Sequence, residues 1–226
     1  MMQTKQHSTR VLRQARFISA LFNPLLLPVA VFSYSSWRLE SDPWQILLVN
    51  GIGLTFFVLI PFMILVRMKR NKQITSIDVK ERTTRNLPFV YGLMSMGGGL
   101  LAFQYLPVER SLIYSILCMI SINNTTIAAL INLRWKISIH SMAMATTCVV
   151  LYFLSGPLVL VWPEFTIGSV LTILLLITIT VTVQISRVIL DFHTVAQVTA
   201  GAILAAILTA IQLSLLIPDT TIYMKV

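Results

Sequence analysis

SRVILDFHTVAQ, residues 186–197, lies between two long apolar runs and is where this oily chain commits to chemistry. It sets Ser186 and Arg187, then five residues, then His193, then three residues and Gln197. An arginine ending one membrane helix and a histidine opening the next converge where a polar headgroup lies. His193 and Gln197 are four apart. On a helix that spacing puts both on one face, so Gln197 can hold the ring nitrogen of His193 that chemistry does not use.

The flanking runs decide the fold class. Of 226 residues, 56% are hydrophobic and 11% charged, too apolar for a soluble domain of this size, and a bilayer crossing takes about 20 apolar residues. The expected fold is all-α, a polytopic membrane helical bundle of about seven transmembrane helices. The spans are expected near 17–37, 45–66, 88–106, 111–133, 140–162, 166–185 and 193–217. The first carries Asn23, Pro24 and Pro28, the third has Gly97, Gly98 and Gly99 for close helix contact, and the fourth is interrupted by SINNTT at 121–126, which must face protein. Ala196, Ala200, Gly201 and Ala205 line parts of the last span for packing. Cys118 and Cys148 fall inside spans and give neither a disulfide framework nor zinc spacing. Residues 1–16, MMQTKQHSTRVLRQAR, form a basic leader that reads as a retained anchor, since no clear small-residue cleavage site follows. The expected division is leader 1–16, two N-terminal transmembrane helices over 17–66, a core over 67–217 and a short tail over 218–226.

The net charge of +9 is not spread evenly. The polar segments 67–87, 134–140 and 186–192 are separated by two crossings each, so they emerge on one face, and the N-terminus joins them. That face holds fourteen of the seventeen Lys and Arg; Arg38, Arg110 and Lys225 are the others. The positive-inside rule puts it in the cytoplasm. The expected location is integral, multi-pass, in a bacterial cytoplasmic membrane. Membrane lipids, not nucleic acid, are the expected partners of the basic charge.

Three strings on that face belong together. Lys80 stands seven residues before Leu87-Pro88; Ile137-Ser138-Ile139-His140 follows two crossings later; Ser186, Arg187 and His193 follow two crossings after that. In this order they resemble the three signatures of the type 2 phosphatidic acid phosphatase superfamily: Lys, six residues, Arg-Pro; Pro-Ser-Gly-His; and Ser-Arg, five residues, His, three residues, Asp. The resemblance covers roughly residues 80–201. It implies a phosphatase-like core over 67–217 and a metal-independent hydrolysis of a lipid phosphate or polyprenyl (di)phosphate through a phosphohistidine. His193 is then the nucleophile, with Gln197 behind it, and His140 the group that protonates the leaving oxygen and later activates water. Lys80, Arg82 or Arg85, Ser138 and Arg187 are the phosphate-binding set. No cofactor and no metal are implied, and no Asp-x-x-Asp exists to hold magnesium as a membrane prenyltransferase needs.

The departures bear on activity. Leu87 stands where the family has Arg, Ile137 where it has Pro, Ile139 where it has Gly and Gln197 where it has Asp. Gln197 keeps a hydrogen-bond acceptor but loses the charge that stabilises an imidazolium, and Asp191 points elsewhere. Restoring a carboxylate by Gln197→Asp is expected to raise the turnover of a working enzyme. Ser138 also reads as a helix N-cap, and Lys80, Arg82 and Arg85 as a cytoplasmic anchoring cluster. The alternative function is a catalytically degenerate member that serves as a binding or accessory subunit, with partner membrane subunits.

Overall fold

A computed structural model describes residues 8–155 and 167–217. Lys5, His7, the expected turn Trp162-Pro163-Glu164-Phe165 before the 166–185 span, the end of the expected 140–162 span and the tail from 218 lie outside the described residues. Among those described, the secondary structure is entirely helical: α1 (Thr9–Leu21), α2 (Leu27–Leu39), α3 (Pro43–Leu54), a π turn (Thr55–Leu59), α4 (Ile60–Arg70), a short 3₁₀ turn (Thr83–Arg85), α5 (Asn86–Tyr105), α6 (Ser111–Asn132), α7 (Ile139–Ser155), α8 (Ile167–Ile189) and α9 (Val195–Leu216). α3, the π turn and α4 form one continuous rod, so the helices number eight.

Five of them are long and apolar enough to cross a membrane: Pro43–Arg70, Thr83–Tyr105, Ser111–Asn132, Ile167–Ile189 and Val195–Leu216. The described part of α7 is apolar and shorter.

The first apolar run differs from its expected form. Residues 17–37 are not one helix but the end of α1 and most of α2. Pro24 cannot continue a helix, the Asn23 carboxamide accepts the Leu25 N–H at 2.9 Å, and Pro28 supplies a fixed φ inside the first turn of α2. Part of the leader is therefore helix. α1 starts at a Ser8 cap and carries Arg10, Arg13 and Arg16 on its exposed side, with Ala15 and Ser19 buried.

Two clamps define the ends of the bundle. At one end the Tyr114 hydroxyl donates to buried Glu40 at 2.8 Å, and Gln45 exchanges hydrogen bonds with Pro107 O and the Glu109 N–H. These join the 39–45 turn to the 106–114 turn. At the other end Arg82, Arg85, Lys136 and Arg187 tie 78–85, 132–138 and 187–192 together. The three segments expected on one face are thus in mutual contact.

The core between the clamps is close-packed helix on helix. Phe57, Phe32, Phe103 and Tyr114 meet in a chain through it, edge-to-face, tilted and stacked in turn, with ring centroids 5.0 to 5.5 Å apart. Gly98 and Gly99 admit the rings of Phe56 and Phe57, which an added Cβ would meet at 2.8 and 3.0 Å. The π turn leaves the Phe56 carbonyl to accept the Ser95 hydroxyl at 2.5 Å. In α9 the small residues against α7 are Gly201, Ala202 and Ala205, whereas Ala196 faces outward. Asn124, the buried member of SINNTT, donates to Thr146 and Thr209 and accepts from Gln212. That polar patch at mid-helix is satisfied inside the protein, as a membrane interior demands.

Candidate functional site

Arg187 is the centre of the site. It ends α8, is 1% exposed, and faces Asp78 on the 71–82 connector: Nη1 donates to Oδ2 at 2.8 Å and Nη2 to Oδ1 at 3.2 Å. Nη1 also donates to Ser19 Oγ at 2.6 Å and lies 3.4 Å from His140 Nε2. An arginine only donates, so His140 Nε2 is the acceptor and carries no proton there. The Phe192 ring lies over the guanidinium, 4.2 Å from its centre. Arg187 Nε is buried without a partner. Burial alone would raise the Asp78 carboxyl, but the Arg187 hydrogen bond and charge hold it below the ordinary carboxylate range.

The turn after α8 presents His193. Asp191 adopts a left-handed φ of 55°, and this reverses the chain so that His193 turns inward, 7% exposed, while Asp191 projects into solvent. α9 begins at Val195, so His193 precedes the helix that was expected to start with it. Its link to Gln197 comes instead from a capping box. Thr194 is the N-cap, its hydroxyl accepts the Gln197 N–H at 3.4 Å, and Gln197 Oε1 accepts the Thr194 N–H at 3.3 Å. That same oxygen is 3.0 Å from His193 Nδ1. The Thr194 N–H can only donate, which fixes Oε1 toward it and makes His193 Nδ1 the protonated nitrogen. Nε2 of His193 is left as the free base. Burial, then the charge of Arg85, with Lys136 and Arg187 behind it, pushes His193 down to about 3, so the ring is neutral at physiological pH.

The other expected residues divide. Arg85 is 4% exposed and joins the site, donating to Val79 O at 2.8 Å and Ile137 O at 3.2 Å. Arg82 does not line it: Nη1 donates to Asn132 O and Leu133 O, closing the end of α6, and Asn132 donates back to Arg82 O. Ser138 takes the capping role, accepting the Ser141 N–H and hydroxyl in the first turn of α7 while its carbonyl packs on Gly201. Lys80 is half exposed, 3.6 Å from Asp191 and 5.7 Å from the centre of the Phe192 ring. Ser186 bonds back to Val183 O within α8. Two participants were not anticipated from the sequence, Asp78 and Lys136. Lys136 Nζ donates to Phe192 O at 2.6 Å and so fixes the turn that carries His193; burial and the charges of Arg85, Lys80 and Arg187 hold it below its ordinary value.

Asp78, Arg85, His140, Arg187 and His193 all line one cavity of about 250 Å³. From them it continues between apolar side chains of α2, α4, α5, α6 and α7, past Phe57 and Ile120, to Thr146 and Val150. From His140 to Val150 the helix rise gives a depth of about 15 Å. A cationic end on an apolar shaft matches the shape of an amphiphile with an anionic head.

Comparison of the chain with protein-family models, with curated proteins and with solved structures gave no match.

Proposed function

We propose that the protein is a membrane-embedded, metal-independent lipid phosphatase of the type 2 phosphatidic acid phosphatase kind, hydrolysing a lipid phosphate or polyprenyl phosphate through His193. The observation that carries this reading is the neutral His193 with Nε2 free, in the same cavity as Arg85, His140 and Arg187 and at the head of an apolar shaft. Arg85, Lys136 and Arg187 exceed in charge the one carboxylate that lines the cavity, the half-buried Asp78, which leaves a surplus for a phosphate. His193 Nε2 attacks phosphorus, an N–P bond forms as the P–O bond to the lipid breaks, and the alcohol leaves with a proton. His140 Nε2, once released from Arg187, takes up a proton as the phosphate enters, gives it to the leaving alkoxide, and recovers it from the water of the second step. Water then attacks the phosphohistidine, releasing inorganic phosphate and restoring His193.

In the bilayer this reading takes seven crossings, with α2 and α7 adding to the five long spans and a phosphatase-like core over 67–217. The cation count favours the cytoplasmic side for the site. The shaft is at the small end of ligand cavities, which suits one apolar chain rather than two.

A second reading is favoured by Gln197 and by the ion pair on Arg187: the same cavity binds a lipid phosphate without turning it over, as a subunit of a membrane complex. Phosphate release by purified protein from a panel of lipid phosphates, with His193→Ala beside the wild type, separates the two. Release that depends on His193 supports the enzyme; binding without release supports the subunit; neither sinks both.

A further inference from the structure

In the structure as it stands, the cation that a phosphate most needs cannot be reached. Arg187 is 1% exposed, both arms of its fork are taken by Asp78, and Ser19, His140 and Phe192 cover what remains. The carboxylate meets the guanidinium side by side, the geometry in which arginine also grips phosphate. Asp78 therefore occupies the seat of the anion.

We infer that Asp78 is an internal counter-anion which the ligand's phosphate displaces, and that the 71–82 connector carrying it is a latch over the anion seat. This rests on the phosphate reading of the site only in taking an anionic phosphate as the ligand.

Four features support displacement over a permanent pair. The connector is not helical between Asn71 and Arg82, so little regular structure is lost if it moves. Its ties to the 186–193 turn are the Asp78–Arg187 pair and Lys80, whose 3.6 Å pair with Asp191 is solvent-exposed and whose distance to the Phe192 ring centre is 5.7 Å; the Arg85 bond to Val79 and the Arg82 bonds to Asn132 and Leu133 anchor only its far end, as a hinge. Exposed pairs of this kind hold weakly. Arg187 Nε is orphaned in the closed form, an unmet donor that a ligand with more acceptor oxygens than a carboxylate can satisfy on opening. The surroundings also favour the exchange. Releasing a singly charged carboxylate and admitting a doubly charged phosphomonoester places one more negative charge among Arg85, Lys136 and Arg187, whereas a singly charged diester gains nothing. The latch thus selects for phosphomonoesters and keeps monoanionic membrane lipids out. His140 Nε2 is freed in the same movement, because its partner Nη1 turns to the ligand.

The test uses the full chain in detergent with inorganic phosphate as probe. Binding is measured for the wild type, Asp78→Asn and Lys80→Ala, and connector movement is followed by thiol labelling of Ser76→Cys. Asp78→Asn is expected to bind phosphate at least tenfold more tightly, and Lys80→Ala severalfold more tightly. Phosphate is expected to speed labelling at position 76 in the chain with Asp78 intact, a readout that stands even if Asp78→Asn folds poorly. Wild-type binding that Asp78→Asn weakens or leaves alone, or labelling at 76 indifferent to phosphate, overturns the latch while leaving a phosphate site. Phosphate binding by none of the proteins overturns the site and the latch together.

Discussion

His193 Nδ1 lies 3.0 Å from Gln197 Oε1, and that oxygen is simultaneously the acceptor of the Thr194 N–H in the capping box of α9. Reach therefore matters as much as charge at position 197. Gln197→Glu keeps the side-chain length, the cap and the hydrogen bond to His193 and adds the charge that stabilises an imidazolium. Gln197→Asp adds the charge but is too short to serve both donors. Turnover of a lipid phosphate is expected to rise on the order of ten- to a thousandfold in Gln197→Glu and less in Gln197→Asp. Steady-state rates of the three proteins on one substrate decide it, and a loss of turnover in Gln197→Glu would mean the neutral amide has its own role.

His193 gives the fold a pH dependence of determined sign. Its pKa is pushed down to about 3 from an ordinary 6.5, so above pH 6.5 the ring is neutral in both folded and unfolded chains. As pH falls below 6.5 the unfolded chain takes up a proton that the folded chain refuses until about 3. Stability is accordingly lost across that window, by at most about 1.4 kcal/mol per pH unit from this group. Denaturant midpoints in detergent between pH 7 and 4 are expected to fall for the wild type and to fall less steeply for His193→Asn. Parallel curves would place His193 in a more polar setting than its burial indicates.

The apolar shaft can be filled without disturbing the fold. Gly92 lines it, and a Cβ there meets nothing within 4 Å. Gly92→Leu also improves helix propensity in α5, by several tenths of a kcal/mol. Hydrolysis of long-chain lipid phosphates is expected to drop at least tenfold in Gly92→Leu, while a short water-soluble phosphomonoester is processed as before. Equal effects on both, or none on either, would show that the tail lies elsewhere.

Membrane sidedness is open to a labelling experiment. Thr75 and Arg134 are exposed at the end of the bundle that holds Arg187, and Ser41 is exposed at the end that holds Glu40 and Tyr114. Cysteines at 75 and 134 are expected to react with an impermeant reagent from the cytoplasmic side and a cysteine at 41 from the opposite side. Reaction of 75 and 134 from opposite sides would break the topology.

How far the sequence carries depends on the kind of signal each residue leaves. The grouping of Arg85, His140, Arg187 and His193 was legible, because segments two crossings apart must share a face and the apolar runs count the crossings. The choice between Arg82 and Arg85 was not: three residues apart on one turn, they differ only in which carbonyls they meet, Asn132 and Leu133 for one and Val79 and Ile137 for the other. Asp78 left no trace at all, since it lies in an aperiodic connector and its partner is 109 residues away. The break between α1 and α2 was visible as Asn23, Pro24 and Pro28, but hydropathy alone ran the two helices together. His193 and Gln197 were paired correctly for an incomplete reason. A spacing of four predicts a shared helix face, whereas the N-terminal cap of α9 brings them together.

The most direct measurement is chemical quench of purified protein mixed with a lipid phosphate labelled in its phosphoryl group, followed by mapping of any label on the chain. The expected result is an acid-labile, base-stable phosphoryl group on His193 that appears before free phosphate and is absent in His193→Ala. Phosphate release that continues in His193→Ala, or label carried by another residue, would contradict a nucleophilic His193.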